Sequence, residues 1–253
     1  MKKISLLTIA VGFTIAAFAW GQTGHRTVGK VAENHLSKKA KVALKEIMGH
    51  ESLVEASTWM DEIKSDQSFK YANPWHYVAI PEGQTYATAE HAKGGDSYEA
   101  IGRMIAILKN PEAKTEEKRN AVRMLVHLVG DFHQPLHVGN GEDRGGNQVK
   151  IKWFYKDSNL HRIWDSGMID DKNLGYSELA EMIDHPKSSN ESLYSTDLNV
   201  WVSEAVALRP QIYDTGGKDN LTYEYAYKNW ATVKNQLFKG GVRLAQILND
   251  IYG

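Results

Sequence analysis

The eleven residues from His127 to His137, HLVGDFHQPLH, constrain this chain more than any other stretch. They complete an apolar helix and carry His127 and Asp131 four residues apart, so both side chains leave the same helical face. Gly130 lets a second element approach that face. Pro135 ends the helix, so the chain turns and His137 can return toward it from another direction. Three donors, two histidines and an aspartate, therefore lie within one short segment. A His and an Asp at this spacing also make surface pairs and satisfied buried hydrogen bonds, so the segment alone leaves its role open. His161 and Asp165, in LHRIWD, repeat the spacing.

The chain has 253 residues, 42% hydrophobic and 24% charged, which suits one soluble domain with a sizeable core. Its first nineteen residues read as a separate segment. Lys2 and Lys3 make a positive start, Ile4 to Phe18 is an apolar run, and Ala17-Phe18-Ala19 is a small-residue cleavage pattern. Residues 1–19 are thus expected to be a signal peptide, with one mature domain over 20–253 that begins at Trp20 and is exported to the periplasm or the medium. A retained anchor helix is the alternative, but the run is short for one and ends in a cleavage signal. Removing the segment takes away two lysines and no acids, so 30 basic and 31 acidic residues become 28 and 31, a formal charge of −3. That excludes the broadly basic surface of a duplex-binding protein. An anionic substrate would need a local attraction, which bound metal supplies. Cysteine is absent, so an exported chain must rely on its core or on metal for stability, and any metal site lacks thiolate.

The pattern of the mature chain is all-α with a small β-hairpin. Helices are expected over about 23–36, from Ser37 as N-cap to Met48 with Gly49 as stop, and over 53–63. Trp75 to Ile80 reads as a short extended piece between prolines, and 81–95 as a long surface loop. Asp96 caps a helix to about Lys109, and Thr115 opens the long helix that carries His127 and Asp131. The stretch 140–147 reads as a flexible connection. Residues 148–155 alternate as a strand, half of a hairpin closing near 157–159. Helices resume from His161, with loops at 170–175 and 185–190, and further helices over 197–213 and 222–248. No repeat or linker divides the chain.

Without thiolates, zinc takes imidazole nitrogen and carboxylate oxygen, and a catalytic site keeps one position for water. Asp61 in WMDEI lies near the end of an apolar helix that accommodates a carboxylate poorly, and His76 lies in WHY. With His127, Asp131, His137, His161 and Asp165 they make seven candidate ligands, enough for more than one ion. Cleavage before Trp20 would free an α-amine with an ordinary pKa of about 8, which with the Trp20 carbonyl could chelate an ion, and His25 is close enough in sequence to join.

Taken together, Trp20 and His25, Asp61 after Trp-Met, His76 after Trp, His127-x3-Asp131-x5-His137 and His161-x3-Asp165 resemble the zinc-dependent single-strand nucleases of the S-one/P-one type, across the whole mature chain. The resemblance implies a secreted, bacterial-type member with a mainly helical trinuclear zinc fold shared with phospholipase C. It implies three Zn2+ ions: one held by Asp61, His76, His127 and Asp131, a second by His137, His161 and Asp165, and a third by Trp20 and His25 with Asp131 bridging to the first. A water between two ions would then attack the phosphodiester in line, leaving 5′-phosphate products from single-stranded DNA and RNA, with hydrolysis of 3′-nucleotides as well. Asp61, Asp131 and Lys64 would be the catalytic set. Lys64 matches a basic position near the phosphate, Tyr77 an aromatic on which a base stacks, and Asn147 a loop residue that bonds a base edge. The competing readings are a solvated lysine, core packing and an ordinary turn. No obligate protein partner and no membrane contact of the mature form are expected.

The chain departs from the family at Ala79, where fungal members place an acid that reads the base, and in lacking their disulfides. His35, His50, His91, His133 and His185 fall outside the pattern; His133, two residues past Asp131, is expected to face away from it. Two rival functions differ in class. A zinc-dependent phospholipase C shares the fold but places Glu where this chain has Asp165. A secreted zinc-binding helical protein without catalysis would have a closed coordination shell.

Overall fold

The computed structural model describes residues 20–185 and 190–253. The expected signal peptide 1–19, and residues 186–189 of the expected loop 185–190, lie outside the described residues. Seven α-helices of eight or more residues occur among those described: α1 (Gln22–His35), α2 (Lys38–Met48), α3 (Ser97–Lys109), α4 (Thr115–Phe132), α5 (Tyr176–Ile183), α6 (Leu198–Tyr213) and α7 (Tyr223–Tyr252). The all-α expectation holds, and none of the described helices is long and apolar enough to cross a membrane.

The expected caps form. Ser37 Oγ accepts from the Ala40 amide at 3.0 Å, and Asp96 Oδ1 accepts from Tyr98 and Glu99 at 3.0 and 3.2 Å. Each satisfies donors that a helix start leaves free. α4 is the central element, with every residue from Met124 to Phe132 buried. A helix buried all round belongs to the middle of a core. It packs against α3, α7 and α1. Leu125, Leu128 and Val129 are fully buried, worth about 1.5–3 kcal/mol each, and so offset the burial of His127 and Asp131 among them.

Four expectations are corrected. The helix expected over 53–63 is two short turns, Leu53–Ala56 and Trp59–Glu62, parted at Ser57 and Thr58. The Ser57 carbonyl is taken by His127 Nδ1 at 2.7 Å and Ser57 Oγ bonds Val54 O at 2.7 Å, both drawing groups away from the helical ladder. The extended piece shrinks to β1 (Val78–Ala79), preceded by a 3-10 coil over Gln67–His76. β1 pairs parallel with β2 (Val138–Gly139), which immediately follows His137.

The hairpin of β3 (Lys150–Trp153) and β4 (Lys156–Asn159) turns at Phe154 and Tyr155 rather than at 157–159, with φ of +47° and +68°. A two-residue turn of this kind is normally written Asn-Gly, and Phe-Tyr carries no such signal. β5 (Asn220–Leu221) adds a parallel third strand beside β3. The stretch 140–147 is also not a loose connection, because Gly145 and Gly146 are buried against the site.

Candidate metal centre and active site

Three groups of side chains gather at the C-terminal half of α4. In each of the sets His25–His127–Asp131, Asp61–His76–His127 and His137–His161–Asp165, one donor atom per residue lies within 4.8 Å of the others. Eight of the nine candidate metal ligands read from the sequence are thereby brought together, and the ninth, Trp20, is fully buried. The Gly21 amide bonds Asp165 O at 2.8 Å, which pins the start of the domain to the second half of the site.

Asp131 sits at the centre. Its Oδ2 is 2.9 Å from His76 Nδ1 and 3.3 Å from His127 Nε2, and its Oδ1 is 3.2 Å from His25 Nε2. His25 reaches it because position 130 has no side chain: a Cβ there would lie 2.8 Å from His25 Nδ1. Asp61 Oδ1 lies 3.8 Å from His127 Nε2 and receives Lys64 Nζ at 2.5 Å. In the third set, His161 Nε2 and His137 Nε2 face Asp165 at 3.2 and 3.7 Å. Asp165 itself stands in a single wider π turn, Ile163–Gly167, of the kind often found at functional sites.

The backbone fixes the ring tautomers. Nδ1 of His127, His137 and His161 bonds the carbonyls of Ser57, His76 and Gly145 at 2.7, 2.6 and 2.6 Å. A carbonyl only accepts, so each Nδ1 carries a proton and Nε2 is the nitrogen turned inward, the one that offers a lone pair to a metal once its own proton is displaced. His137 Nε2, His161 Nε2, His25 Nε2 and Asp131 Oδ1 are buried without a well-formed hydrogen bond, their nearest polar neighbours being other members of the three sets. Buried polar atoms seldom stay so, and four of them converging on two points fit a cation. Imidazole and carboxylate without thiolate fit zinc among the common metals.

The electrostatics agree. Burial favours the neutral form of Asp131, but the charges of His127 and His137 hold it well below the usual carboxylate range. Burial likewise opposes ionised Asp61, and His127, His25 and Lys64 outweigh it. Burial pushes His76 down to about 4, so it stays neutral at ordinary pH. His137 is also buried, yet Asp131 and Asp165 lift it to about 9. Two carboxylates, one buried and one largely so, thus remain anionic, and a bound cation would answer that charge.

A sequence profile of the S1/P1 nuclease family matches residues 20–253. The chain belongs to the S1/P1 nuclease family. It is 29% identical to endonuclease 2 of Arabidopsis thaliana over 286 aligned positions, covering 99% of this chain and 97% of the relative. It is 27% identical to nuclease P1 of Penicillium citrinum, covering 92% and 98%, and 30% identical to nuclease S1 of Aspergillus oryzae, covering 70% and 63%. As an S1/P1 nuclease it is a hydrolase of phosphodiester bonds. The phospholipase C and non-catalytic readings are set aside by that membership.

Other residues of this S1/P1 nuclease site carried no sequence signal. Gln134 Nε2 donates to Asp165 Oδ1 at 2.5 Å while its Oε1 accepts from the Leu136 amide at 2.7 Å, tying the end of α4 to the third set. α6 supplies no donor atom to the three sets but braces two of their histidines. The buried Arg209 bonds Val138 O and Gly139 O at 3.0 and 2.9 Å, directly after His137. Tyr213 donates to Asp143 Oδ2 at 2.7 Å, and Asp143 Oδ1 holds the Gly146 amide at 2.8 Å, beside the Gly145 carbonyl that orients His161. Arg209 and Tyr213 were hidden by the about seventy residues that separate them from their partners, and Gln134, inside the motif, by its not being a metal-ligand type.

Of the three positions assigned to substrate, Tyr77 is 54% exposed, which overturns the core-packing alternative. Lys64 is ion-paired with Asp61, so it is no simple solvated lysine. Asn147 Nδ2 donates to Arg144 O at 3.0 Å within its own loop. His133 faces away from Asp131, as expected, but is buried: Nδ1 bonds Val129 O at 2.8 Å and Nε2 accepts from Arg243 at 3.1 Å.

Proposed function

We propose that this nuclease is an exported endonuclease, dependent on three zinc ions, that cuts single-stranded DNA and RNA to 5′-phosphate products and also hydrolyses 3′-nucleotides. Asp61, His76, His127 and Asp131 hold one ion, and His137, His161 and Asp165 a second. His25 with the Trp20 amine and carbonyl holds the third, Asp131 bridging it to the first. The observation that carries this reading is the set of buried donors on His25, Asp131, His137 and His161 that lack a well-formed hydrogen bond. The Trp20 amine exists only once its peptide bond to Ala19 is cut, so a signal peptide over 1–19 belongs to the same proposal. The destination is the periplasm or the medium, and no partner protein is required.

Zinc at these positions supplies Lewis acidity and water that ionises near neutral pH. Asp131 and Asp61 fix the geometry at the reacting phosphate. Lys64, held beside Asp61, offsets negative charge that develops on the phosphoryl oxygens. Tyr77 presents an exposed ring to a base, and Asn147 stands on the loop that orients His161. Stacking on such a ring contributes about 1–3 kcal/mol and needs a free base face, which a duplex hides. Single strands are favoured for that reason.

The test is a parallel hydrolysis assay of the purified domain starting at Trp20 on single-stranded DNA, RNA and phosphatidylcholine, with and without a chelator. Chelator-sensitive release of 5′-phosphate nucleotides is the expected result. Products ending in 3′-phosphate, or no turnover of either nucleic acid with zinc confirmed bound, would overturn it.

A further inference from the structure

A groove of about 400 Å³ lies between α3, α4 and the coil Gln67–His76, walled by Phe69, Tyr71, Trp75, Met104, Ile107 and Met124. We propose that it is a second base-binding subsite, which takes an unpaired nucleobase of the strand being cut, one to three nucleotides from the scissile phosphate. The proposal rests on the single-strand reading above and extends it.

Its position follows from helix geometry. Asn120, Met124, His127 and Asp131 recur at three- and four-residue intervals, so they share one face of α4. At 1.5 Å per residue, Met124 stands about 4.5 Å from His127 and about 10 Å from Asp131 along the axis. Stacked nucleotides advance about 3.4 Å each, so a strand on the metal centre reaches the groove within one to three steps. The coil makes the same connection, because Trp75 lines the groove and the next residue, His76, lies 2.9 Å from Asp131.

The lining suits a flat heterocycle. Trp59, Phe69, Tyr71 and Trp75 form a chain of ring contacts with centroids 5.2, 6.2 and 5.2 Å apart. Tyr71 is 55% exposed, an aromatic face on offer to solvent. Trp75 is held in place by its Nε1 bond to Gly94 O at 3.0 Å and by the Arg103 guanidinium 5.5 Å from its ring centroid. Arg103, Asn110, Glu117 and Asn120 also line the groove and add hydrogen-bonding groups to its apolar rings. Exposed Lys70, between Phe69 and Tyr71, adds positive charge for the sugar-phosphate backbone. Rigid rings with a few polar groups bind bases with little sequence preference.

The experiment compares kcat and KM of the zinc-loaded enzyme on oligothymidylates two to six nucleotides long, and on hexanucleotides with one abasic position moved stepwise along the strand. The expected result is a fall in KM with length and about a tenfold loss of kcat/KM when the base one to three steps from the cut is missing. Tyr71→Ala should remove most of the length dependence through KM, and Tyr71→Phe should restore it. Equal kcat/KM at all lengths, with no abasic position mattering, would overturn the subsite while leaving the nuclease reading intact. No turnover at any length would instead strike the single-strand reading. In that event the affinity for a fluorescent, non-hydrolysable hexathymidylate, weakened by Tyr71→Ala or not, decides the groove by itself.

Discussion

His25 and His127 lie face to face with ring centroids 4.0 Å apart and planes 14° from parallel, although 102 positions separate them in the chain. Both rings also meet Asp131, from α1 on one side and from its own helix on the other. The stack joins the first turns of the domain to its central helix at the one point where the donor sets overlap.

That stack depends on Gly130. Gly130→Ala would set a methyl 2.8 Å from His25 Nδ1, deep in a packed core. Overpacking of this kind costs about 1–3 kcal/mol. A lower Tm together with less zinc per chain, by thermal melting and elemental analysis, is the expected outcome.

Asp131→Asn keeps the shape and removes the charge on which His25, His76 and His127 converge. The variant should lose zinc and at least about 100-fold in kcat/KM, since even removal of an outer partner of a metal ligand costs 10–100-fold. Wild-type zinc content in this variant would contradict the bridging assignment.

Residues left ahead of Trp20 should block its amine. A chain with a short N-terminal extension should carry about one zinc fewer than the chain beginning at Trp20, because the amine and carbonyl chelate together. Native mass spectrometry of the two forms reads the difference directly.

Tyr213→Phe removes a single hydroxyl that anchors Asp143 beside the His161 loop. Its stability cost should be small, about 1 kcal/mol. Zinc at the His137–His161–Asp165 set should nevertheless weaken by about tenfold, the lower end of effects seen for outer partners. Chelator titration followed against a urea melt separates the two effects.

The acid limb of stability should depend on Glu204. Burial opposes its charge, but the paired guanidinium of the buried Arg243, at 2.8 and 2.9 Å, and Lys239 hold its carboxyl below the ordinary range. A folded-state pKa below the unfolded one means that the pair stabilises fully above about pH 4.5 and that this is lost as pH falls through the folded value. Glu204→Gln should cost about 1.5–3 kcal/mol near neutrality and flatten the decline of stability below pH 4.5. Urea melts at pH 7, 5 and 3.5 measure both.

The sequence by itself determined the helical class, the caps at Ser37 and Asp96, and which His and Asp side chains the fold would gather. These are written in local spacing: a His and an Asp four apart share a helical face whatever surrounds them, and a glycine inside an apolar helix invites a neighbour. Only the tertiary structure decided the rest. The break at Ser57 arises because His127, seventy residues away, claims its carbonyl. The hairpin turns at Phe154 and Tyr155 because strand pairing with β4 imposes left-handed backbone on residues that do not favour it. Arg209 and Tyr213 support the site through contacts about seventy residues apart in sequence, and the groove exists only where α3, α4 and the coil Gln67–His76 converge. Short-range periodicity reports which face a side chain takes, while long-range hydrogen bonds and packing decide what that face meets.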